Sequence, residues 1–248
     1  MALAGSPVQT DEYTRIAQAE DDHWWYRHTR AMMAEMLAPW LRPGSVILDA
    51  GCGPGGNSSF LAPYGKVVGA DISPDAMRLL KVRWPATSPV QASITDLPFG
   101  SGSFDVVVTV TVLAMLPDDR RAVGEVARVL RPGGAAFFIE AAFPALRRGH
   151  DIVCNVVRRY RKPEFEAIID AAGLTVRRST YAHSYLVPPA AVLAAASRFR
   201  KAPEGARSDL QHGRSLDRVF TSLTALERRV LARRNLPAGV SVVAVATK

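Results

Sequence analysis

The sequence predicts an α/β fold: a Rossmann-like, doubly wound, mostly parallel seven-stranded sheet, with an N-terminal helical cap and a helical insertion before the last strand. Three observations predict it. Short apolar runs alternate with helical segments between residues 46 and 179. The run Phe104–Val110, FDVVVTV, is apolar enough to be buried on both faces, as a central parallel strand must be. A glycine-rich turn, Gly51-Cys52-Gly53-Pro54-Gly55-Gly56, directly follows the first run, where such sheets open their ligand crevice.

Residues 8–40 read as the helical cap, because Ile16, Ala19, Trp24, Tyr26, Met32, Met33, Met36 and Leu37 recur at three- and four-residue spacing. Pro39 and the Pro43-Gly44 pair end it. Val46–Leu48 is the first strand, and a helix begins over Pro54–Leu61. Lys66–Ala70 is the second strand, followed by a helix at Pro74–Arg83 with Ser73 as N-cap and proline at its first position. Val90–Ala92 and Phe104–Val110 are the third and fourth strands. A helix over Asp118–Leu130 stops at Arg131-Pro132-Gly133-Gly134, and Ala135–Glu140 is the fifth strand. Lys162–Ala172 is a helix closed by Gly173, and Thr175–Ser179 the sixth strand. Residues 189–202 and 215–234 read as helices around a polar connector, and Val240–Thr247 is a β-branched final strand. This divides a single domain, 1–248, into a cap (8–40), a cofactor-binding core (44–184), a substrate-side insertion (185–236) and the last strand (237–248).

The chain has 248 residues, 48% of them hydrophobic, which is enough for one buried core. Its two cysteines show neither disulfide nor metal spacing, and no stretch has the pattern of a signal peptide or a membrane span. A cytoplasmic protein without a bound metal or a membrane partner is expected. The net charge of +8 raises the question of nucleic acid. However, the arginines fall in pairs, such as Arg147/Arg148, Arg158/Arg159 and Arg177/Arg178, without interleaved aromatics. Solvated helix and strand ends explain them better.

The glycine turn matches G-x-G-x-x-G, the dinucleotide fingerprint, yet Asp49 stands two residues before its first glycine. Beside a pyrophosphate that carboxylate would be repelled, at a cost of roughly 1–4 kcal/mol. Beside a cation it is attracted. A cofactor with an ammonium and a sulfonium but no phosphate suits the turn, and S-adenosylmethionine is that cofactor. Asp71 ends the second strand, placed to accept ribose hydroxyls, which NAD would satisfy equally. Each acid also has a plain structural reading: Asp49 as a cap for the turn, Asp71 as a cap for the helix after Ser73.

The segments VILDAGCGPGG, VVGADIS, LPFGSGSFDVVV and EVARVLRPGG, between Val46 and Gly173, together resemble the class I S-adenosylmethionine-dependent methyltransferases. The flanks, DDHWWYRHTR at 21–30 and the layout from GHDIVCNVVRRYRKPEFEAIIDAAGL to the closing strand, are similar to a bacterial small-molecule subgroup. The resemblance implies that Asp49, Gly51, Cys52 and Gly53 hold the methionine end of the cofactor. It implies that Asp71 holds the ribose, that Ile72 packs on the adenine, and that Ile94 and Val110 complete the site. Ser93 stands where many relatives carry an acid toward the adenine amino group. Where relatives often read LEHLPD, this chain has Leu113-Ala114-Met115-Leu116-Pro117-Asp118, which leaves an apolar wall.

Methyl transfer from a sulfonium is an in-line displacement, so the protein's main tasks are alignment and exclusion of water. The expected acceptor is an oxygen or nitrogen of a small molecule, such as a specialised metabolite, bound between the cap and the 185–236 insertion. Position after the fifth and sixth strands nominates His150 and His183 as bases, and Tyr160 as a substrate-orienting hydroxyl. Tyr181 and Tyr185 share that possibility. Arg158 and Arg159 could pair with an acidic substrate group, and Trp24, Trp25 and Tyr26 could form a lid. A purely structural role competes with each. Two rival functions remain: an RNA methyltransferase, and a cofactor-binding partner subunit without turnover. Against the first, Thr109-Val110-Thr111-Val112 lacks an Asn/Asp-Pro-Pro-aromatic turn, and neither cysteine follows a proline.

Overall fold

A computed structural model describes residues 10–147, 151–152, 154–197 and 214–248. Seven strands form one sheet: β1 (Ser45–Ala50), β2 (Gly65–Asp71), β3 (Ser88–Gln91), β4 (Phe104–Val110), β5 (Leu130–Ala141), β6 (Thr175–Ala182) and β7 (Ser241–Thr247). Their order is β3-β2-β1-β4-β5-β7-β6. The pairs from β3 to β5 are parallel, whereas β7 runs antiparallel to both β5 and β6. The last strand of the chain thus fills a slot between two earlier ones. Its alternation could not reveal that order, because apolar faces on both sides suit any interior slot.

The helices are α1 (Thr10–Ala19), α2 (Trp24–Leu37), α3 (Gly56–Leu61), α4 (Pro74–Arg83), α5 (Asp119–Val129), α6 (Lys162–Ala171), α7 (Val187–Ser197) and α8 (Arg214–Leu231). The cap expected as one helical segment is two helices. The chain breaks at Glu20–His23, where His23 Nδ1 accepts the Trp25 N–H at 3.3 Å and starts α2 afresh. Pro54 is not helical, because Gly55 at φ +94° precedes the first turn of α3.

Successive residues of each strand serve opposite faces. Ile47, Val106, Val108, Phe137, Ile139 and Val243 pack with Met32, Met33 and Leu37 of α2 and Leu231 of α8. Leu48, Val107, Phe138 and Val242 pack with Val123 and Val126 of α5 and Phe165 and Ile169 of α6. All of these are buried, and each contributes about 1.5–3 kcal/mol of apolar transfer. Between β1 and β4 the winding reverses direction, so the carboxyl ends of β1, β2 and β4 splay apart into a crevice there. Among the described residues, no helix is long and apolar enough to cross a membrane.

Candidate cofactor and active site

The crevice is a cavity of about 440 Å³, within the range of small-molecule sites. Its floor is the glycine turn. Gly51 has φ +81°, and a Cβ there would lie 2.2 Å from Val112 Cγ2. Gly53 has φ +51° with only Tyr13 nearby, at 3.9 Å, so its backbone stays open to the cavity. Gly51, Cys52, Gly53, Asp71, Ile72, Ser93, Ile94 and Val110 all line this one space. Eight residues expected from separate parts of the sequence are therefore brought together.

Asp71 organises the crevice. Its carboxylate accepts the Gly53 N–H at 3.0 Å, the Ser73 N–H at 2.9 Å and the Tyr13 hydroxyl at 3.4 Å. One side chain thereby ties the end of β2 to the glycine turn and to α1, which closes over the site. Burial raises its carboxyl above the ordinary range, partly offset by these bonds. Ile72, beside it, is 44% exposed and lines the cavity, offering an apolar surface to whatever occupies it. Ser93 shares a 2.8 Å hydrogen bond with Thr95 at the opposite rim.

Asp49 is placed differently from the expectation. It is 1% exposed, lies outside the cavity lining, and accepts the Ser58 hydroxyl at 2.6 Å beneath the turn. Burial, reinforced by Glu20 and Asp71, pushes its carboxyl up to about 7. A second acid beside the turn, after Asp71, lines the cavity: Glu20, just beyond α1, paired with Arg83 and 4.0 Å from Arg30. Three carboxyl groups, Asp49, Glu20 and Asp71, thus gather around the turn, with Glu20 charge-paired to Arg83 and Asp49 partly protonated near neutral pH. Glu20 carries no local motif, and only the packing of α1 against the turn identifies it.

Two of the three substrate-side candidates, His183 and Tyr160, lie away from the cavity. His183 is wholly buried and lies off the cavity; its Nδ1 is 3.1 Å from Ser241 Oγ and its ring stacks on Trp25. Burial pushes its imidazole down to about 3, so it is neutral and out of reach of a substrate. The loop after β6 is wrapped by α2 and α8, and so it faces the cap rather than the crevice. Tyr160 is buried as well. Its hydroxyl donates to Asp119 at 2.8 Å, away from the cavity, and burial raises its phenol further above its ordinary range. His150 lies outside the described residues.

Arg159 forms a bidentate pair with Asp151 at 2.7 and 2.9 Å, and Arg158 pairs with Asp119 at 2.8 Å. Arg147 and Arg178 likewise donate to main-chain carbonyls, of Val157 and Leu231. Trp24 stacks on Phe220 of α8 at 4.7 Å; of the three adjacent aromatics, Tyr26 alone lines the cavity. No described residue of 185–236 lines it either, so the cavity lies between the cap and the strand ends rather than under the insertion. Among the described residues, no group of three or more His, Cys, Asp or Glu could hold a metal ion.

A crevice at the winding reversal, an acid at the end of β2 and an exposed apolar residue after it define a nucleoside-cofactor protein. The carboxyl groups of Asp71 and Glu20 put acceptor oxygens on the cavity wall that suit ribose hydroxyls and an ammonium, and the open Gly53 backbone admits close approach. The residues present therefore fit S-adenosylmethionine. Residues 48–138 match a family model described as a methyltransferase domain. A "Probable S-adenosylmethionine-dependent methyltransferase" of Mycolicibacterium smegmatis is 29% identical over 71% of this chain and 68% of its own length. A demethylmenaquinone methyltransferase of Symbiobacterium thermophilum is 33% identical over 55% of this chain and 57% of its own. A Haloferax volcanii chain, from a complex between a methyltransferase activator and a methyltransferase, superposes with a TM-score of 0.63 at 20% identity, covering 96% of both chains. Residues 48–138 thus match a methyltransferase domain, the chain is similar over most of its length to an S-adenosylmethionine-dependent methyltransferase, and S-adenosylmethionine is the cofactor these relatives indicate. The matches span between about half and two thirds of the length of these curated relatives.

Proposed function

We propose that the protein transfers a methyl group from S-adenosylmethionine to an oxygen or nitrogen of a small molecule in the cytoplasm. When bound, the cofactor supplies the electrophilic methyl. In this reading the Asp71 carboxylate takes the ribose hydroxyls, Ile72, Ile94 and Val110 enclose the adenine, and Ser93 meets its edge. Gly51, Cys52 and Gly53 give the methionine end backbone contact. Glu20 faces its ammonium, and Asp49 lies beneath the turn, where a bound cation would favour its ionised form. The observation that carries the reading is the set of three carboxylates converging on one glycine turn, with Asp71 and Glu20 on the cavity itself.

Among the described residues, the cavity wall carries tyrosine and threonine hydroxyls, apolar side chains, the carboxylates of Glu20, Asp71 and Asp118, and Arg121, but no histidine. That suits an acceptor already unprotonated at neutral pH, such as a carboxylate or an aromatic amine, which needs alignment more than a base. The arginines engaged with acids and carbonyls weigh against an RNA groove. The names of demethylmenaquinone methyltransferases among the relatives favour a second reading, a quinone-type ring as acceptor. The test is incubation with methyl-labelled S-adenosylmethionine and a bacterial extract separated into RNA and low-molecular-mass fractions. Label is expected in the small molecules, and its appearance in RNA alone would contradict the proposal.

A further inference from the structure

Thr111, the first residue beyond β4, lines the cavity with φ +56°, a conformation that β-branched residues rarely adopt. A backbone turned this way brings successive N–H groups to one side, forming a nest for an oxygen anion. The anion here is a side chain. Glu140 Oε1 accepts the N–H groups of Val112 at 3.0 Å and Leu113 at 2.8 Å, and Oε2 accepts that of Ala114 at 3.0 Å. Glu140 is wholly buried near the end of β5, the neighbour of β4, and does not line the cavity.

Two cavity walls depend on this grip. Thr111 keeps its turned backbone because the three N–H groups that follow are satisfied. Val112 is held against the glycine turn, its Cγ2 occupying the space beside Gly51 where a Cβ would lie only 2.2 Å away. Met115 and Leu116 continue the same turn along the cavity.

We infer that Glu140 is a positioning residue for the cofactor: its carboxylate fixes Thr111 and Val112 as the wall that faces the glycine turn. This rests on the methyltransferase reading above. Glu140→Gln keeps the size of the side chain, but it sets an amide NH₂ against a backbone N–H and removes the charge. In calorimetry with S-adenosylhomocysteine, E140Q should bind about tenfold or more weakly than the wild type. Amide exchange should accelerate at Val112, Leu113 and Ala114 and stay unchanged at Ile47 and Leu48 in β1. A purely structural glutamate would instead loosen both regions together. Affinity within twofold of the wild type would overturn the inference while leaving the methyltransferase reading intact, whereas a wild type that fails to bind S-adenosylhomocysteine would overturn both. If E140Q does not fold, wild-type exchange decides. The ligand should slow Val112, Leu113 and Ala114 more than Ala136 of β5, and no slowing at those three amides would contradict the role.

Discussion

Asp71 joins more of the site than any other residue. Its carboxylate is shared by the glycine turn, the start of α4 and the hydroxyl of Tyr13 on α1. Asp71→Ala is expected to weaken S-adenosylhomocysteine binding about tenfold or more while the chain stays folded, since charge-assisted hydrogen bonds contribute about 1.5–3 kcal/mol. Unchanged affinity in calorimetry would remove Asp71 from the cofactor site. Asp49 yields a prediction with a sign. Its native carboxyl titrates at about 7 against an ordinary 3.8, so the folded state binds the proton more tightly than the unfolded chain does. That contribution to stability is full below 3.8 and is lost as pH rises through 7. The Asp49→Asn variant should therefore gain denaturation midpoint relative to the wild type between pH 5 and pH 8; a constant difference would contradict the assignment. A cationic ligand acts in the opposite direction. It favours the ionised carboxylate, so affinity for S-adenosylmethionine should rise over the same interval in the wild type and less in Asp49→Asn.

At the scale of elements, Glu227 of α8 joins the cover to the sheet. It takes the His28 imidazole of α2 at 3.1 Å and the N–H groups of His183 and Ser184 at 2.6 and 2.7 Å. Burial alone would raise its carboxyl, but the bond from His28, the nearby His183 and these N–H groups hold it below the ordinary range. Glu227→Ala leaves several buried polar groups unpaired and should cost about 3 kcal/mol, seen as a lower denaturation midpoint. A change in methyl-transfer rate with the midpoint intact would instead return this cluster to the catalytic candidates. The cluster also shows where sequence reasoning stopped. A histidine after the sixth strand suggested a base facing the substrate. Which way it points is decided by α2 and α8, far away in the chain, and no local pattern records that packing. Elements with local signals were legible. Ser73 accepts the Ala76 N–H and caps α4 as its position before Pro74 indicated, and Phe104–Val110 is the buried central strand.

For the whole molecule, the glycine turn, Asp71, Ile72, Ser93, Ile94 and Val110 were legible because each sits at the end of its own strand. The doubly wound topology then brings those ends together without further instruction. Glu20 and Glu140 were not legible. One acts through a helix folded over the cavity and the other through the neighbouring strand, so their spacing in sequence carries no pattern. The place of β7 between β5 and β6 was hidden for the same reason. The fold accounts for a cationic nucleoside cofactor rather than a phosphorylated one, and one titration examines that claim directly. Calorimetry of the intact chain with S-adenosylhomocysteine and, separately, with NAD should give a saturable one-site isotherm for the first and no heat of binding for the second. Binding of NAD without binding of S-adenosylhomocysteine would contradict it.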